Sequence, residues 1–411
     1  MLAQVLIIGG GTAGLAAAIG LAERRIFVNI VEKESSIGGM ASELCCKGDI
    51  KCAKCDVCLS IDRLPEVAQS KYIRILTNSE VKRVSGAPGS YRVTVERKPQ
   101  LVREDRCIAC GACREVCPVE GSAINPRYFR SVPMTYYIDK NKCIRWKGSQ
   151  CTKCAEICPN GAIDFDAPAS KKYLNVSAIV VASGFEPFDA TLDRRLGYGT
   201  LKNVLTSLEI ERMINSIGKI VVFPTSLPCK KLAIIQCVGS RDLRMGASYC
   251  SKVCCKYALK IAQLAKLKNP DLEISFFLMD WRPYDSIDNE LVEWANKNKG
   301  VKVIRTRPAE IIQSETDKPI VRYVSLSENT VEEEEFDLIM LSVGIMPPSD
   351  ARRLSNILDM KISPHGFILD DGERRGIFAA GCCTGPKDIE ESFMEGIATA
   401  GRVAAFIGGL K

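Results

Sequence analysis

A glycine-rich turn directly after a short apolar run constrains the fold of this chain more than any other feature of the sequence. The turn has the pattern G-x-G-x-x-G, formed by Gly9, Gly11 and Gly14. It follows the run VLII at residues 5–8, and Glu32 lies 18 residues beyond the last glycine, at the end of a second apolar run. In a strand, turn and helix unit, such glycines let a pyrophosphate approach a helix N-terminus, while the acidic residue accepts hydrogen bonds from a ribose. Together with Gly39 shortly afterwards, the pattern predicts a dinucleotide site on an α/β fold.

Hydropathy and charge argue against two classes of function. Residues 5–22 are almost entirely apolar, but four glycines fall within ten of these residues and no Lys or Arg precedes them. That composition does not fit a signal peptide or a membrane span. The formal net charge of +7 is mild and spread along the chain, which favours an anionic cofactor or an acidic protein partner over nucleic acid. We therefore expect a cytoplasmic protein that neither spans a membrane nor binds nucleic acid.

The chain contains twenty cysteines and one histidine. Disulfide-rich proteins are usually short and secreted, whereas this chain is 411 residues long and places most of its cysteines two or three residues apart. Such spacing suits metal binding. Because histidine is so scarce, the candidates are all-thiolate sites, either iron–sulfur clusters or zinc held by four cysteines.

Residues 107–118 and 143–159 form an internal repeat of the two-cluster ferredoxin type, and each half ends in Cys-Pro. The first half is C-x2-C-x2-C-x3-C-P, while the second has seven residues between its first two cysteines. In this motif the fourth cysteine of each half binds the cluster of the other half. One predicted ligand set is Cys107, Cys110, Cys113 and Cys158, and the other is Cys143, Cys151, Cys154 and Cys117. A zinc ribbon is the alternative, but it does not explain eight cysteines in this order.

A further group of cysteines lies between residues 45 and 58. Its members are Cys45, Cys46, Cys52, Cys55 and Cys58. The last three have C-x2-C-x2-C spacing, so with one upstream thiolate they predict another [4Fe–4S] cluster. Zinc, or a mixture of ligands and free thiols, is the alternative.

Residues 175–189 and 336–349 are two further strand-like runs that lead into glycines, and GIFAAGCCTGPKDIEES near the end precedes an apolar helical pattern. This order resembles the thioredoxin-reductase-like family of flavoproteins with two dinucleotide-binding domains, which implies that FAD occupies the N-terminal fingerprint. In that family the terminal segment passes the flavin and begins a helix near its pyrimidine edge. The implied contacts are Gly184, Gly381, Cys382, Lys387, Asp388 and Ile389. Cys382 stands where the family usually has an Asp that holds the ribityl chain.

In the same arrangement, a second glycine fingerprint for NAD(P)H would follow the first strand of the second domain. Residues 231–236 (KLAIIQ) predict that strand, but CVGSRD follows it and the phosphate-binding glycines are missing. A C-x12-C-x3-C-C pattern occupies the place, formed by Cys237, Cys250, Cys254 and Cys255. Cys250 and Cys254 are spaced as neighbours on one helix face, so the pattern predicts a four-thiolate site. Buried small hydrophobic residues on a core helix are the alternative.

The motifs IQCVGSRD, YCSKVCCKYALK, GCCTGPKDIEES and KCDVCL, with a ferredoxin-type segment inserted in a flavin fold, resemble the HdrA family of heterodisulfide reductase subunits and their relatives in anaerobic complexes. The resemblance implies a [4Fe–4S] cluster on the four cysteines of residues 237–255 and a flavin that splits or gathers electron pairs among clusters. Compared with the long methanogen form, we expect no extra N-terminal domain and no C-terminal ferredoxin domain. That short form is most similar to the HdrA-like component of class II benzoyl-CoA reductase complexes.

The predicted domains are an FAD domain at residues 1–99, 171–216 and 350–411, an inserted ferredoxin domain at residues 100–170, and a second dinucleotide-type domain at residues 217–349. The chain is predicted to be an oxidoreductase subunit that transfers electrons with FAD and three to four [4Fe–4S] clusters, and electron bifurcation at the flavin is part of this hypothesis. Its predicted partners are electron-input subunits and a terminal reductase. A self-contained NAD(P)H:ferredoxin-type oxidoreductase, a quinone-interacting subunit of sulfur metabolism and a zinc scaffold are the alternatives. No side chain is predicted as a general acid, base or nucleophile.

Overall fold

The computed structural model describes residues 3–48, 52, 54–127, 130, 132–370 and 375–410. Its first strands are β1 (Gln4–Ile8), β2 (Phe27–Val31), β3 (Ile73–Leu76), β4 (Ser79–Ala87), β5 (Ser90–Arg97), β6 (Ile124–Pro126), β7 (Tyr136–Ile138), β8 (Ser170–Val176), β9 (Ala178–Val181), β10 (Glu186–Pro187) and β11 (Val204–Thr206). They continue with β12 (Val221–Val222), β13 (Leu227–Pro228), β14 (Lys231–Val238), β15 (Glu273–Phe277), β16 (Val301–Ile304), β17 (Glu310–Gln313), β18 (Pro319–Ser325), β19 (Thr330–Glu335), β20 (Leu338–Val343), β21 (Ile345–Met346) and β22 (Ile377–Ala379). The helices are α1 (Thr12–Glu23), α2 (Val57–Ile61), α3 (Leu64–Gln69), α4 (Ala112–Glu115), α5 (Lys153–Glu156), α6 (Ser207–Ile217), α7 (Cys254–Lys268), α8 (Ser286–Lys297), α9 (Ala351–Leu358) and α10 (Ile389–Gly409).

The first sheet has the strand order β22–β9–β1–β2–β3, and its strands are parallel. Four of the five residues of β1 are buried, as expected for a parallel strand that is covered on both faces. Helices α1 and α10 pack on one face, where Gly20 lies so close to Ala400 that an added Cβ would be 2.8 Å from the alanine Cβ. The antiparallel strands β4, β5 and β8 and helix α9 cover the other face.

The apolar stretch of residues 5–22 folds as β1, the glycine turn and most of α1. Its side chains are buried in the core of the first sheet, which explains their hydrophobicity. Across the described ranges, no helix combines the length and the hydrophobicity that a bilayer crossing requires.

The second sheet has the order β11–β20–β14–β15–β16 and is also parallel. Helices α6, α7 and α8 contribute to the core on one face, and the antiparallel strands β17 to β19 close the other. The sequence-based boundary at residue 217 is wrong, because β11 pairs with β20 and Ile210 of α6 is buried in the core under this sheet. The second domain therefore begins before Val204.

The inserted segment leaves the antiparallel sheet after Arg97 and returns to it at Ser170. It contains α4, α5 and the β6–β7 hairpin around a small core of Leu101, Val102, Ile124 and Ile138. A bridge between Val102 and Ile163 joins the two ends of the segment. This arrangement brings the two halves of the cysteine repeat together, since α4 and α5 pack beside each other.

Candidate functional site

A cavity of ≈ 640 Å³ runs between the two domains. All predicted cofactor-binding residues except Gly14 line it, namely Gly9, Gly11, Glu32, Gly39, Gly184, Gly381, Cys382, Lys387, Asp388 and Ile389. The second domain contributes residues from α6, α7 and the end of β20, among them Glu211, Tyr257 and Val343. The structure therefore brings residues from both ends of the chain to one elongated site.

The glycine turn shapes the end of this cavity at the N-terminus of α1. Gly9 has a φ of 106°, and a Cβ there would lie 2.2 Å from the carbonyl oxygen of Ala182. Gly14 does not line the cavity, because its role is close packing: a Cβ would lie 2.0 Å from the carbonyl oxygen of Gly9. The backbone N–H groups at the start of α1 are available to an anion, since no side chain caps the helix at Gly11.

Glu32 is buried at the end of β2, with 7% of its surface exposed. Its carboxylate accepts hydrogen bonds from the backbone N–H of Gly10 at 2.7 Å and from that of Glu34 at 2.9 Å. Burial raises the pKa of Glu32, while these two backbone hydrogen bonds oppose the rise. Because a carboxylate has about four acceptor positions, it can still accept from a ribose hydroxyl in the cavity.

The polar groups of the cavity fit an FAD molecule. Ser183 and Asp350 both line the cavity, and the Ser183 hydroxyl and one Asp350 carboxylate oxygen are buried without a hydrogen-bond partner among the described residues. Buried polar atoms in proteins are almost always paired, so these two indicate a missing polar ligand. The ribityl and phosphate groups of FAD offer such partners.

The C-terminal segment passes along the cavity before α10 begins. Gly381 has a φ of 79° and donates its N–H to Glu395 at 2.6 Å. Cys382 is buried, and its thiol donates to the carbonyl of Lys387 at 3.2 Å. Asp388 caps α10 in a reciprocal arrangement with Glu391, which fixes the helix N-terminus beside the cavity.

In the inserted segment, two small cavities are each lined by one of the predicted cysteine sets. The first is lined by Cys107, Cys110, Cys113 and Cys158, and the second by Cys117, Cys143, Cys151 and Cys154. The fourth cysteines make equivalent bonds: the N–H of Ala162 donates to Cys158 Sγ at 3.2 Å, and that of Ala123 to Cys117 Sγ at 3.3 Å. Burial and neighbouring thiols raise the pKa of Cys113 and of Cys154 to about 11. Cys158 therefore lies with the first three cysteines of the first half, and Cys117 lies with those of the second half. Cluster binding stays a prediction.

The cysteines of the second domain lie where a nucleotide-binding turn would be. Cys237 has a φ of 60° at an irregularity near the end of β14, and Cys254 and Cys255 open α7. Burial raises the pKa of the Cys254 thiol, and the neighbouring thiols of Cys237, Cys255 and Cys250 raise it further.

One detail of the predicted geometry at this site is wrong. Cys250 lies in the loop before α7, since the helix begins at Cys254, so the two are not neighbours on a helix face. The loop turns back at Ser251, whose hydroxyl donates to the Ser240 hydroxyl at 3.1 Å and accepts the N–H of Ile345 at 2.8 Å. These bonds hold Cys250 near Cys237 without a helical turn.

The cysteines between residues 45 and 58 fall into different environments. Cys45 is buried, and its thiol donates to the Glu211 carboxylate at 2.7 Å. Cys55 lines the large cavity, while Cys46, Cys52 and Cys58 are exposed. Among the described residues, no group of three or more His, Cys, Asp or Glu side chains is arranged to hold a single metal ion.

Sequence reasoning missed a buried ion pair on the cavity wall. Lys47 Nζ lies 2.6 Å from Glu211, and both side chains are 3% exposed. Lys256 of α7 also faces the cavity and pairs with Asp388 at 3.2 Å, which connects the second domain to the start of α10. No local pattern could reveal these partners, because they are separated by more than one hundred residues.

Comparison with known proteins places the chain among redox proteins. Residues 3–400 match the family described as pyridine nucleotide-disulphide oxidoreductases. The chain is 35% identical, over 98% of its length, to the A-type subunit of the H(2):CoB-CoM heterodisulfide,ferredoxin reductase of Methanothermobacter thermautotrophicus. It is 39% identical, over 98% of its length, to an A-type iron-sulfur subunit of the CoB–CoM heterodisulfide reductase of Methanopyrus kandleri. The resemblance predicted from the motifs is confirmed, and the chain spans 63% and 64% of the length of these two relatives.

Solved structures share the fold at low identity. Thioredoxin reductase of Lactococcus lactis superposes with a TM-score of 0.54 at 15% identity, covering 99% of both chains. Bacillithiol disulfide reductase of Bacillus cereus superposes with a TM-score of 0.51 at 14% identity, covering 100% of this chain and 99% of the other. The predicted fold with two dinucleotide-type domains is therefore confirmed.

Proposed function

Because the chain belongs to the pyridine nucleotide-disulphide oxidoreductase family, we propose that it is an electron-transfer subunit that binds FAD and [4Fe–4S] clusters. Its similarity to the A-type subunits of heterodisulfide reductases supports a place in a multi-subunit redox complex. We include in the proposal three to four clusters, on the two quartets of the inserted segment, on the four cysteines around α7 and on cysteines of residues 45–58. FAD can take electrons as a pair and pass them on singly to one-electron clusters.

One observation carries the proposal. Strand β14, at the centre of the second sheet, carries Cys237 with a positive φ next to its last residue, and the other three cysteines lie between this strand and the first turn of α7. A nucleotide-binding domain of this fold would have a tight glycine turn there to receive a pyrophosphate. The residues that replace the turn are thiolate ligands, so electrons enter or leave through a cluster and not through a hydride donor at that place.

The positions of the side chains suggest a route for electrons. Val253, the residue before the paired cysteines of α7, lines the FAD cavity on one side, and Cys55 of the N-terminal group lines it as well. Two of the proposed clusters therefore border the flavin site, while the quartets of the inserted segment offer a connection to a partner protein. We also propose that the flavin bifurcates electrons and that a partner subunit is a terminal reductase for benzoyl-CoA or a heterodisulfide.

The cofactor content gives the first test. Anaerobically purified protein should contain roughly 12 to 16 iron atoms per FAD, because each cluster holds four. Stoichiometric zinc with little iron would contradict the proposal and favour a scaffold without redox activity.

The second test uses the isolated chain and a nicotinamide nucleotide. NADH or NADPH alone should cause little bleaching of the flavin absorbance within seconds, whereas dithionite should bleach it fully. Rapid, stoichiometric bleaching by either nucleotide would favour a self-contained NAD(P)H oxidoreductase instead.

A further inference from the structure

The end of the FAD cavity beyond Glu32 contains a residue from the inserted segment. Arg127 follows β6 and lines the cavity together with Lys33 and Glu34. Its guanidinium forms an ion pair with Glu34 at 3.2 Å and lies 5.8 Å from the ring centre of Tyr137 on β7. A cation of the inserted domain thus borders this end of the cavity beside residues of the first domain.

The fold identifies this end of the cavity as the adenosine end. In doubly wound folds the pyrophosphate lies at the glycine turn, and the acidic residue after the second strand binds the adenosine ribose. The adenine must then lie beyond Glu32, on the side away from Gly11. The cavity wall there consists of Lys33, Glu34, residues 79–81 and Arg127.

The position of Arg127 depends on the inserted domain. The segment is attached to the first domain by a bridge in which the N–H of Ile37 donates to the carbonyl of Val132 at 2.8 Å. Glu104 at the start of the segment pairs with Arg97 at 3.0 Å, which holds its base on the antiparallel sheet. These contacts fix the inserted domain beside the adenosine end and direct Arg127 toward it.

We propose that the inserted domain completes the FAD site, with Arg127 stacking its guanidinium on the adenine or bonding to its edge. A planar guanidinium is suited to both contacts, and the ion pair with Glu34 keeps it in place without a large loss of side-chain entropy. FAD binding and the docking of the inserted domain are therefore coupled, so each stabilises the other. This inference rests on the proposed FAD site, but it adds a binding residue from a domain otherwise assigned only to clusters.

The test compares FAD affinity in the cluster-loaded protein after reversible removal of the flavin. Arg127→Ala should weaken FAD binding about tenfold, and Arg127→Lys should weaken it less, because the charge remains while the planar group is lost. Arg130→Ala is the matched control, since Arg130 lies on the same segment, is exposed and does not line the cavity. Its FAD affinity should stay within about twofold of the unmodified chain.

Two ligand fragments separate a binding role from a structural one. ADP carries the adenosine and pyrophosphate of FAD, so Arg127→Ala should raise the dissociation constant of ADP by about the same factor as that of FAD, while the dissociation constant of FMN stays unchanged. The inference would be overturned if Arg127→Ala bound FAD and ADP as tightly as the unmodified chain does. It would also be overturned if the variant lost affinity for FMN and for ADP by the same factor. If the unmodified chain binds no FAD, the proposed function fails instead, so the two failures are distinguishable.

Discussion

Replacing Glu32 by Ala tests the dinucleotide site most directly, and the structure sets the size of the effect. The carboxylate accepts two backbone N–H groups, of which that of Gly10 is buried and that of Glu34 is partly exposed. An unpaired buried donor costs about 1–3 kcal/mol, and the partly exposed N–H of Glu34 costs less because water can pair with it. Burial also raises the pKa of Glu32, so removal of the charge returns part of that desolvation energy. We expect the flavin-free protein to lose about 1–2 kcal/mol of unfolding free energy.

The effect on FAD adds to this loss. In the complex, the ribose hydroxyls lose their acceptor and remain in a closed site, so the FAD affinity should fall by about 1–3 kcal/mol, a factor of about 5 to 150. The FAD affinity of Glu32→Gln should lie between that of Glu32→Ala and that of the unmodified chain. The amide oxygen of Gln can accept one backbone N–H, while its amide nitrogen faces the other donor and cannot accept from it. Flavin fluorescence titration gives the affinity, and thermal unfolding of the flavin-free protein gives the stability.

Glu290→Ala provides the control, because Glu290 is an exposed carboxylate on α8 that does not line the cavity. Both quantities should be unchanged in that variant. A Glu32→Ala protein that is destabilised but binds FAD with unchanged affinity would refute the reasoning. It would mean that Glu32 only orders the backbone between β1 and β2.

Further substitutions test the cysteines and one pH dependence. Cys254→Ser should lower the iron content by about four per chain and remove one low-temperature EPR signal with FAD retained, whereas Cys383→Ser, at a buried thiol outside the cavity, should change neither. Cys45→Ser should keep the full iron content, because a serine hydroxyl can also donate to Glu211; a loss of about four irons would instead make Cys45 a ligand. Burial raises the pKa of Glu80, but hydrogen bonds from two lysines lower it to about 2. These bonds therefore stabilise the fold at a pH above the pKa of a free Glu, and the stabilisation is lost as the pH falls toward 2. Glu80→Gln should therefore show a smaller fall in Tm between about pH 5 and 3, and an unchanged pH profile would contradict this.

Local patterns predicted much of the fold. The strand at residues 338–343 and the insertion between the halves of the first domain follow from runs of apolar residues and repeated motifs, which depend on neighbours in sequence. The glycine turn was predictable for the same reason, since Gly9 must adopt a positive φ against the Ala182 carbonyl. Motif spacing also predicted the exchange of Cys117 and Cys158 between the two halves, and each lines the small cavity of the other half's cysteines.

Features that depend on tertiary contacts were not predictable. The sequence around α6 contains a capping box at Thr206, but nothing local shows that β11 joins β20 in the second sheet. The start of α7 was placed too early because cysteine spacing resembles a helix repeat, while the bonds of Ser251 to Ser240 form a loop there. The pair of Lys47 and Glu211 joins segments more than 160 residues apart.

In both domains, a helix N-terminus lies at the place where a nucleotide-binding turn is expected. At the same position in the first domain, the N-terminus of α1 faces the cavity with free N–H groups, which favours a phosphate. In the second domain the N-terminus of α7 carries Cys254 and Cys255, and the positive end of a helix dipole favours thiolates for the same reason. Burial raises the pKa of the Cys237 thiol, while the charge of Arg241, which pairs with Asp280, opposes the rise. A helix N-terminus that serves a dinucleotide in one domain can therefore serve a negatively charged cluster in the other without a change of fold.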